Sequence, residues 1–368
     1  MTTVPFAYLT EQFAEAEAAE IFAEIAKVVK TGDFTLGSVV GAFEAQFAGW
    51  LGCRHAIGVN SGTDALKLSL WGLGVGPGDE VITVANTFIA TVGAINEMRA
   101  RPVLIDCDDS LCMDVNQLEA AITPRTRAII PVHLSGDMAD MPRVLEIAGR
   151  HGVPVVEDAC QAIGSTLDGR FAGTFGKTGA FSLHPMKFLN IWGDGGVIAT
   201  DDDEMATKLR LLRNHGLISR DAITFFGCNS RLDSVQAVVA AHVLKRADWI
   251  LERRAANAAF YDANLAGLPG LRKPARLPRV RHSWVTYQLF AEERDALLKH
   301  CQAAGVDCKV HYPIPLYQQE GLRGLGYAPG DFPVADRQAA TTISLPVHQY
   351  LTPGHLEAVV ATIRSFYA

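Results

Sequence analysis

No stretch of this 368-residue chain approaches the run of about 20 apolar residues that a membrane-crossing helix needs. No block of positive charge is present: 33 Lys and Arg stand against 40 Asp and Glu, a formal net charge of −7, so neither a membrane nor nucleic acid is an expected partner. The opening MTTVPFAYLTEQFAEAEAAE carries no Lys or Arg before Lys27 and no apolar signal core, and a secretory signal is not expected. The seven cysteines, Cys53, Cys107, Cys112, Cys160, Cys228, Cys301 and Cys308, are odd in number and form no CxxC pair. A disulfide framework is thereby disfavoured, and a cytoplasmic location fits better. Two nucleotide fingerprints are also missing. No GxGxxG opens a helix, and no GxxxxGK[ST] occurs.

What the chain does have is core-forming material, with 49% hydrophobic residues, enough for one large and one smaller domain. Apolar positions recur at helical spacing over residues 10–30 (Phe13, Ile21, Phe22, Ile25, Val28, Val29) and again from Ser38 to Trp50. A strand–helix rhythm follows. The strands are HAIGV, EVITV, RPVLIDCD, RAIIPVHL and VPVVEDA, with amphipathic segments between them. Such alternation predicts an α/β fold with a mostly parallel sheet covered by helices on both faces. After about Thr200 the pattern changes. Residues 203–215 and 231–262 read as helices, the second a single long one, and from Leu271 short strands and helices mix with prolines at 274, 278, 313, 315, 333 and 346. The expected organisation is a large domain over residues 1–245 and a smaller α+β domain over residues 246–368.

Three short segments carry chemistry. Asn60-Ser61-Gly62-Thr63-Asp64 joins the HAIGV strand to a helix, where free backbone N–H groups and the positive helix end suit one phosphate. Ordinary N-capping by Ser61, Thr63 or Asp64 accounts for the same turn. VPVVEDACQAIGS ends a strand on Glu157 and Asp158, at the sheet edge where ligands of parallel sheets bind; a solvated acid pair reads the same. FSLHPMKFLNIWGDGG places Lys187 between an apolar run and a double glycine, a setting that suits a lysine aimed at a carbonyl as well as an ordinary surface lysine. Together, a phosphate turn, a strand-end Asp and a later lysine make the constellation of a pyridoxal phosphate enzyme, far more specific than its parts.

Over nearly its whole length the chain resembles the DegT/DnrJ/EryC1/StrS sugar aminotransferases of the aspartate aminotransferase superfamily, fold type I. The resemblance is carried by LGCRHAIGVNSGTDALKLSL, VGPGDEVITVANTFIATVGAI, AIIPVHLSGDMADM, VPVVEDACQAIGS, FSLHPMKFLNIWGDGGVI, LRNHG, GCNSRLDSVQA and HYPIPLYQQ. It implies the cofactor pyridoxal 5′-phosphate. It implies Lys187 as the Schiff-base lysine and proton shuttle, Asp158 as partner of the pyridine N–H, Gln161 on the ring-hydroxyl side and Phe88 stacked on the ring. Gly62, Thr63 and Ser182 are implied to hold the phosphate, with Asn229 reaching it from a neighbouring subunit of a homodimer with shared active sites. His311, Tyr312 and Tyr317 lie in segments implied to meet substrate. The chain departs from the family's usual residues at Ser135, where an aromatic is common, at Tyr317, where His is common, and at Trp192, where a small residue is common.

The implied activity moves an amino group from an amino acid, L-glutamate, to a ketosugar, most commonly nucleotide-linked; a ketocyclitol is an alternative acceptor. Two other readings share the fold: a cofactor-binding regulator without turnover, and a cysteine desulfurase or lyase that would need a nucleophilic thiol, for which Cys160 is the nearest candidate.

Overall fold

The computed structural model describes residues 3–368. Helices α1 (Glu15–Thr31) and α2 (Ser38–Leu51) each end on a left-handed glycine, Gly32 and Gly52, whose N–H closes the last turn. The sheet follows: β1 (His55–Val59), β2 (Glu80–Val84), β3 (Arg101–Ile105), β4 (Thr126–Ile129), β5 (Val156–Asp158), β6 (Thr178–Ser182) and β7 (Gly196–Thr200). Strands β3, β2 and β4 pair in parallel, and the bridges Ile129–Val155 and Val132–Asp158 join β4 to β5. The order is therefore β3-β2-β4-β5-β6-β7-β1, parallel throughout except for β7, which runs antiparallel to both neighbours.

Both faces of this sheet are covered, as its apolar strands require. Along β7, Val197 and Ala199 belong to one core and Ile198 to the other, the alternation that a pleated strand imposes. Helices α3 (Gly62–Gly72) and α7 (Asp203–Leu212) supply the core that includes Ile198, while α1, α2, α5 (Val115–Ala121), α6 (Met141–His151) and α8 (Ser234–Leu244) supply the other; α4 (Ile89–Glu97) places Val92 in one and Ile95 in the opposite one.

The long helix expected over 231–262 is two helices. α8 ends at Leu244, Arg246 leaves helical geometry at φ −101°, ψ 5°, and α9 (Ala247–Asn264) begins. No Gly or Pro marks the break. The first turns of α9 stay in the large core through Ala247, Ile250 and Leu251, and the helix then carries Ala258 and Tyr261 into a separate one. That separate core is built by α9, the antiparallel strands β8 (Leu271–Arg272), β9 (Tyr287–Ala291) and β10 (Thr342–Leu345), and helices α10 (Arg294–Ala303) and α12 (Pro353–Phe366).

Core membership crosses residue 245/246 in both directions. Val4 bridges Val306 and is buried in the C-terminal core. In the other direction, Leu316, Tyr317, Phe332 and Ala335 pack into the large core, where the Asp106 carboxylate accepts from the first-turn amides of Val334 and Ala335 in α11 (Pro333–Thr341), both at 2.9 Å.

Candidate active site

The C-terminal ends of β1, β2, β5 and β6 open into one cleft of about 450 Å³, where ligands of an open α/β sheet bind. Ser61, Gly62, Thr63, Phe88, Asp158, Gln161, Ser182, Lys187, His311 and Tyr312 line it, so ten residues scattered over 250 positions converge on one space.

The turn after β1 is both a cap and an open helix end. Ser61 is extended (φ −163°) and its Oγ accepts from Asp64 N at 3.0 Å, which leaves the Gly62 and Thr63 amides at the start of α3. Gly62 is required there. A Cβ would stand 2.7 Å from Ser182 Cβ and 2.8 Å from Cys160 Sγ. Ser182 ends β6 directly beside it and accepts from His184 N at 3.4 Å.

The two acids at the end of β5 separate sharply. Glu157 is fully buried and saturated: it accepts from His133 Nε2 at 2.9 Å, Gly173 N at 2.8 Å, and the amides of Phe175 and Gly176 at 2.6 Å each. It is a structural acid that ties β5 to the loop before β6. Asp158, 5% exposed, lines the cleft, where Oδ2 accepts from Thr91 Oγ1 at 2.7 Å and Oδ1 from Cys160 N at 3.2 Å. No cationic side chain lies within 4.0 Å of it among the described residues. A buried carboxylate with hydrogen bonds but no counter-ion leaves a place for a cation.

Lys187 stands on the loop between β6 and β7, half-buried at the cleft. Its N–H donates to His184 O at 2.8 Å and its carbonyl accepts from Tyr8 Oη at 3.0 Å. Burial lowers the pKa of its ammonium, against an opposing pull from Cys160 and Asp158, and no ion pair holds it among the described residues. A lysine that is partly desolvated and unpaired keeps its free amine within reach at neutral pH.

Phe88 caps α4 with 52% of its surface exposed, over the cleft, its ring centroid 6.4 Å from that of Tyr312. Gln161 is fixed at both ends: Oε1 accepts from Ser135 N at 3.1 Å and Nε2 donates to Tyr312 Oη at 2.8 Å. Ser135 sits in a left-handed turn at φ 59° and is buried. His311 Nδ1 bonds Ser344 Oγ at 2.7 Å, and burial, reinforced by Lys187 and Lys309, pushes its pKa down to about 4. His184 is exposed at the rim. Trp192 packs its ring against Phe13 and Phe22, outside the cleft lining.

Two expected residues stand elsewhere. Tyr317 does not line the cleft: its hydroxyl donates to Asp336 Oδ1 at 2.5 Å, accepts from Gly330 N at 3.2 Å, and its ring packs on Phe332 in the large core. Asn229 is exposed, paired with Asn214 in a short bridge, and does not line the cleft of its own chain. Three functional neighbours carried no motif. Thr91 sets the Asp158 carboxylate, Tyr8 holds the Lys187 backbone, and Arg254 donates to Tyr8 Oη at 3.1 Å. A buried arginine inside an otherwise regular helix was the one available signal for the last.

The cleft fits pyridoxal 5′-phosphate group by group. The glycine-lined helix end at Gly62 and Thr63 suits a phosphate, cation-free Asp158 suits a pyridinium N–H, half-exposed Phe88 offers a ring face, and unpaired Lys187 suits an aldehyde. Cys160 does not suit thiol chemistry, because burial and Asp158 hold its pKa well above the ordinary range. The class is that of the pyridoxal-phosphate aminotransferases of fold type I. The chain belongs to the DegT/DnrJ/EryC1/StrS aminotransferase family, whose pattern matches residues 15–364. It is 42% identical, over 99% of its length and 96% of the relative's, to the dTDP-3-amino-3,4,6-trideoxy-alpha-D-glucose transaminase of Streptomyces venezuelae. It is 40% identical to the UDP-N-acetyl-3-dehydro-alpha-D-glucosamine 3-aminotransferase of Acidithiobacillus ferrooxidans, over 99% and 98% of the two chains. Its fold superimposes on the crystal structure of S. venezuelae DesV in complex with a ketimine intermediate with a TM-score of 0.97, at 41% identity over 100% and 99% of the chains.

Proposed function

We propose that this enzyme transfers the amino group of L-glutamate to a nucleotide-linked ketosugar in amino-sugar biosynthesis, with Lys187 and Asp158 at its catalytic centre. The observation that carries the reading is the pairing, in one cleft of this family's fold, of an unpaired lysine with a buried, cation-free carboxylate. Relatives with about two-fifths identity named for dTDP- and UDP-linked 3-amino sugars support the nucleotide linkage and place carbon 3 first among positions to assay.

When bound, the cofactor supplies an aldehyde that carries the amino group and a ring that takes up electrons from the adjoining carbon. Lys187 Nζ removes the proton from the α-carbon of the donor and, in the second half-reaction, delivers one to the carbon that had been the sugar ketone. Asp158 holds the proton on the ring nitrogen, with Thr91 fixing its orientation. Gly62, Thr63 and Ser182 hold the phosphate, Phe88 covers one ring face, and Gln161 stands on the ring-hydroxyl side. His311 and Tyr312 meet the substrates. His311 does so as a neutral ring, since its lowered pKa keeps it uncharged at neutral pH. Asn229 reaches the phosphate of the other subunit in a homodimer, and the enzyme works in the cytoplasm, where its seven free thiols stay reduced.

The test has two stages. L-Glutamate alone is expected to change the absorbance of the bound cofactor and release 2-oxoglutarate. Nucleotide ketosugars, 3-keto before 4-keto, are then expected to restore the original spectrum, and the one that does so names the acceptor. A spectrum unmoved by glutamate, glutamine and other common amino acids would favour a cofactor-binding regulator. A spectrum restored by a ketocyclitol alone would change the acceptor class.

A further inference from the structure

A small chamber shares no lining residue with the cleft. At about 10 Å³ it has room for one water-sized body. Asp137, at the end of the Leu134–Gly136 turn of the large domain, forms one side. Gln288 in β9 and Thr286 just before it form the other, while Tyr287 between them points into the C-terminal core. All three are buried, at 3%, 5% and 8% exposure. Thr286 Oγ1 and Gln288 Oε1 have no hydrogen-bond partner. The Asp137 carboxylate accepts from Met138 N at 2.8 Å, and no cationic side chain lies within 4.0 Å of it among the described residues. Arg276 also lines the chamber, but its Nη1 donates to Asp262 Oδ2 at 3.0 Å and its guanidinium lies over the Trp284 ring, 4.4 Å from the centroid. His282 is neutral there: its Nδ1 accepts from Trp284 N at 3.0 Å, and burial holds its pKa down to about 3. Asp108 and His133 are the other titratable groups that act on Asp137.

A buried carboxylate without a counter-ion and buried oxygens without partners are each costly. Their meeting around a space for one body marks a place that a cation completes. We propose that this chamber binds one potassium ion through the Asp137 carboxylate, Thr286 Oγ1 and Gln288 Oε1. Oxygen is the ligand atom that a hard cation takes. A single carboxylate matches a single charge, whereas a divalent ion takes more oxygens and more negative charge. Potassium is the choice by size, because its ion is close to a water molecule in radius. A water in the same place supplies two protons and leaves the charge on Asp137 uncompensated. The ion joins two parts of the molecule. The 134–137 turn, whose Ser135 N–H holds Gln161 Oε1 at 3.1 Å, is tied through it to the strand β9 of the C-terminal core.

The experiment uses the holoenzyme and needs no turnover. Burial pushes the pKa of Asp137 up to about 7, so the protein is held at pH 8.5, where a proton does not compete for the carboxylate. Tetramethylammonium chloride is replaced stepwise by KCl at constant ionic strength, and Tm is followed. Tm is expected to rise and saturate, as for a ligand that binds the folded state alone, with NaCl acting more weakly. Crystals soaked in thallium(I), a heavy stand-in for potassium, are expected to show one anomalous peak between Asp137, Thr286 and Gln288. Asp137→Asn keeps the shape and removes the charge, and is expected to lose both the KCl response and the peak. Thr286→Val is expected to weaken the half-saturating KCl concentration about tenfold, and it decides by the same two measurements if Asp137→Asn does not fold. A wild type with the same Tm in both salts and no thallium peak holds an ordered water only, which overturns the proposal. A KCl response or a peak unchanged in the folded variants overturns it as well, and a response to NaCl stronger than to KCl overturns the choice of potassium.

Discussion

The hydroxyl of Thr91, one turn into α4, donates to Oδ2 of Asp158 at 2.7 Å across 67 positions of sequence. The bond fixes the plane of the carboxylate in the cleft.

Thr91→Val removes this bond with little change in volume. The expected result is a fall in kcat of about tenfold, since a carboxylate that loses its orienting donor no longer faces the ring nitrogen in one fixed plane. Asp158→Asn is expected to lose more than Thr91→Val while still retaining cofactor. A Thr91→Val enzyme with the wild-type kcat would make the residue a packing element and not an orienting one.

Lys187 makes a stability prediction that does not depend on catalysis. Burial depresses its pKa in the folded protein below the ordinary 10.5. Between the two pKa values the unfolded chain binds more protons than the folded one, so stability rises with pH there, and below the folded pKa the penalty is complete. Cofactor-free Lys187→Met is therefore expected to be more stable than cofactor-free wild type at pH 7, with the difference shrinking as pH approaches 10.5. Urea midpoints at pH 7 and pH 9.5 measure it. In the same variant, borohydride should no longer fix the cofactor covalently to the chain.

Gly62→Ala puts a methyl group where Ser182 Cβ and Cys160 Sγ already stand, 2.7 and 2.8 Å away. Relief requires the start of α3 or the end of β6 to move. The expected cost is about 1–3 kcal/mol of stability together with a tenfold or greater loss of cofactor affinity, read by equilibrium dialysis. Unaltered cofactor affinity would remove the Gly62 turn from the phosphate site.

Shared active sites give a complementation test. Lys187→Ala and Asn229→Asp homodimers are each expected to be nearly inactive, the second because a carboxylate faces a phosphate. A mixed dimer carries both lesions in one site and none in the other. Random pairing of equal amounts makes about half of the dimers mixed, so activity should return to about a quarter of wild type. Subunit exchange shown by mass spectrometry without any return of activity would place Asn229 outside the other subunit's site.

Local features of the site were readable in order along the chain. The HAIGV strand, the Ser61–Asp64 turn and the helix after it follow from apolar spacing and capping residues, and the structure has them at β1 and α3. The same local signals could not tell Glu157 from Asp158. Both end one strand, and only the neighbours decide: His133 and three loop amides consume one carboxylate, while Thr91 turns the other to the cleft. Tyr317 was equally opaque, because proximity in sequence to His311 and Tyr312 says nothing of the Asp336 carboxylate that anchors its hydroxyl in the core.

The sequence by itself determined the elements, the strand–helix alternation, and the residue types of a glycine-bearing turn, a strand-end acid and a lysine before a double glycine, because each is set by spacing within about a dozen residues. Tertiary structure alone decided three things. It ran β7 antiparallel between β6 and β1, although the apolar pattern of a buried strand is the same in either direction. It broke the 231–262 run at Arg246 without a Gly or Pro, and it set the passage of α9 from one core to the other between Leu251 and Ala258, which depends on what packs against each turn. It also brought Tyr8 and Arg254, 246 positions apart, to the back of Lys187, because which buried polar groups meet depends on how the layers close over one another.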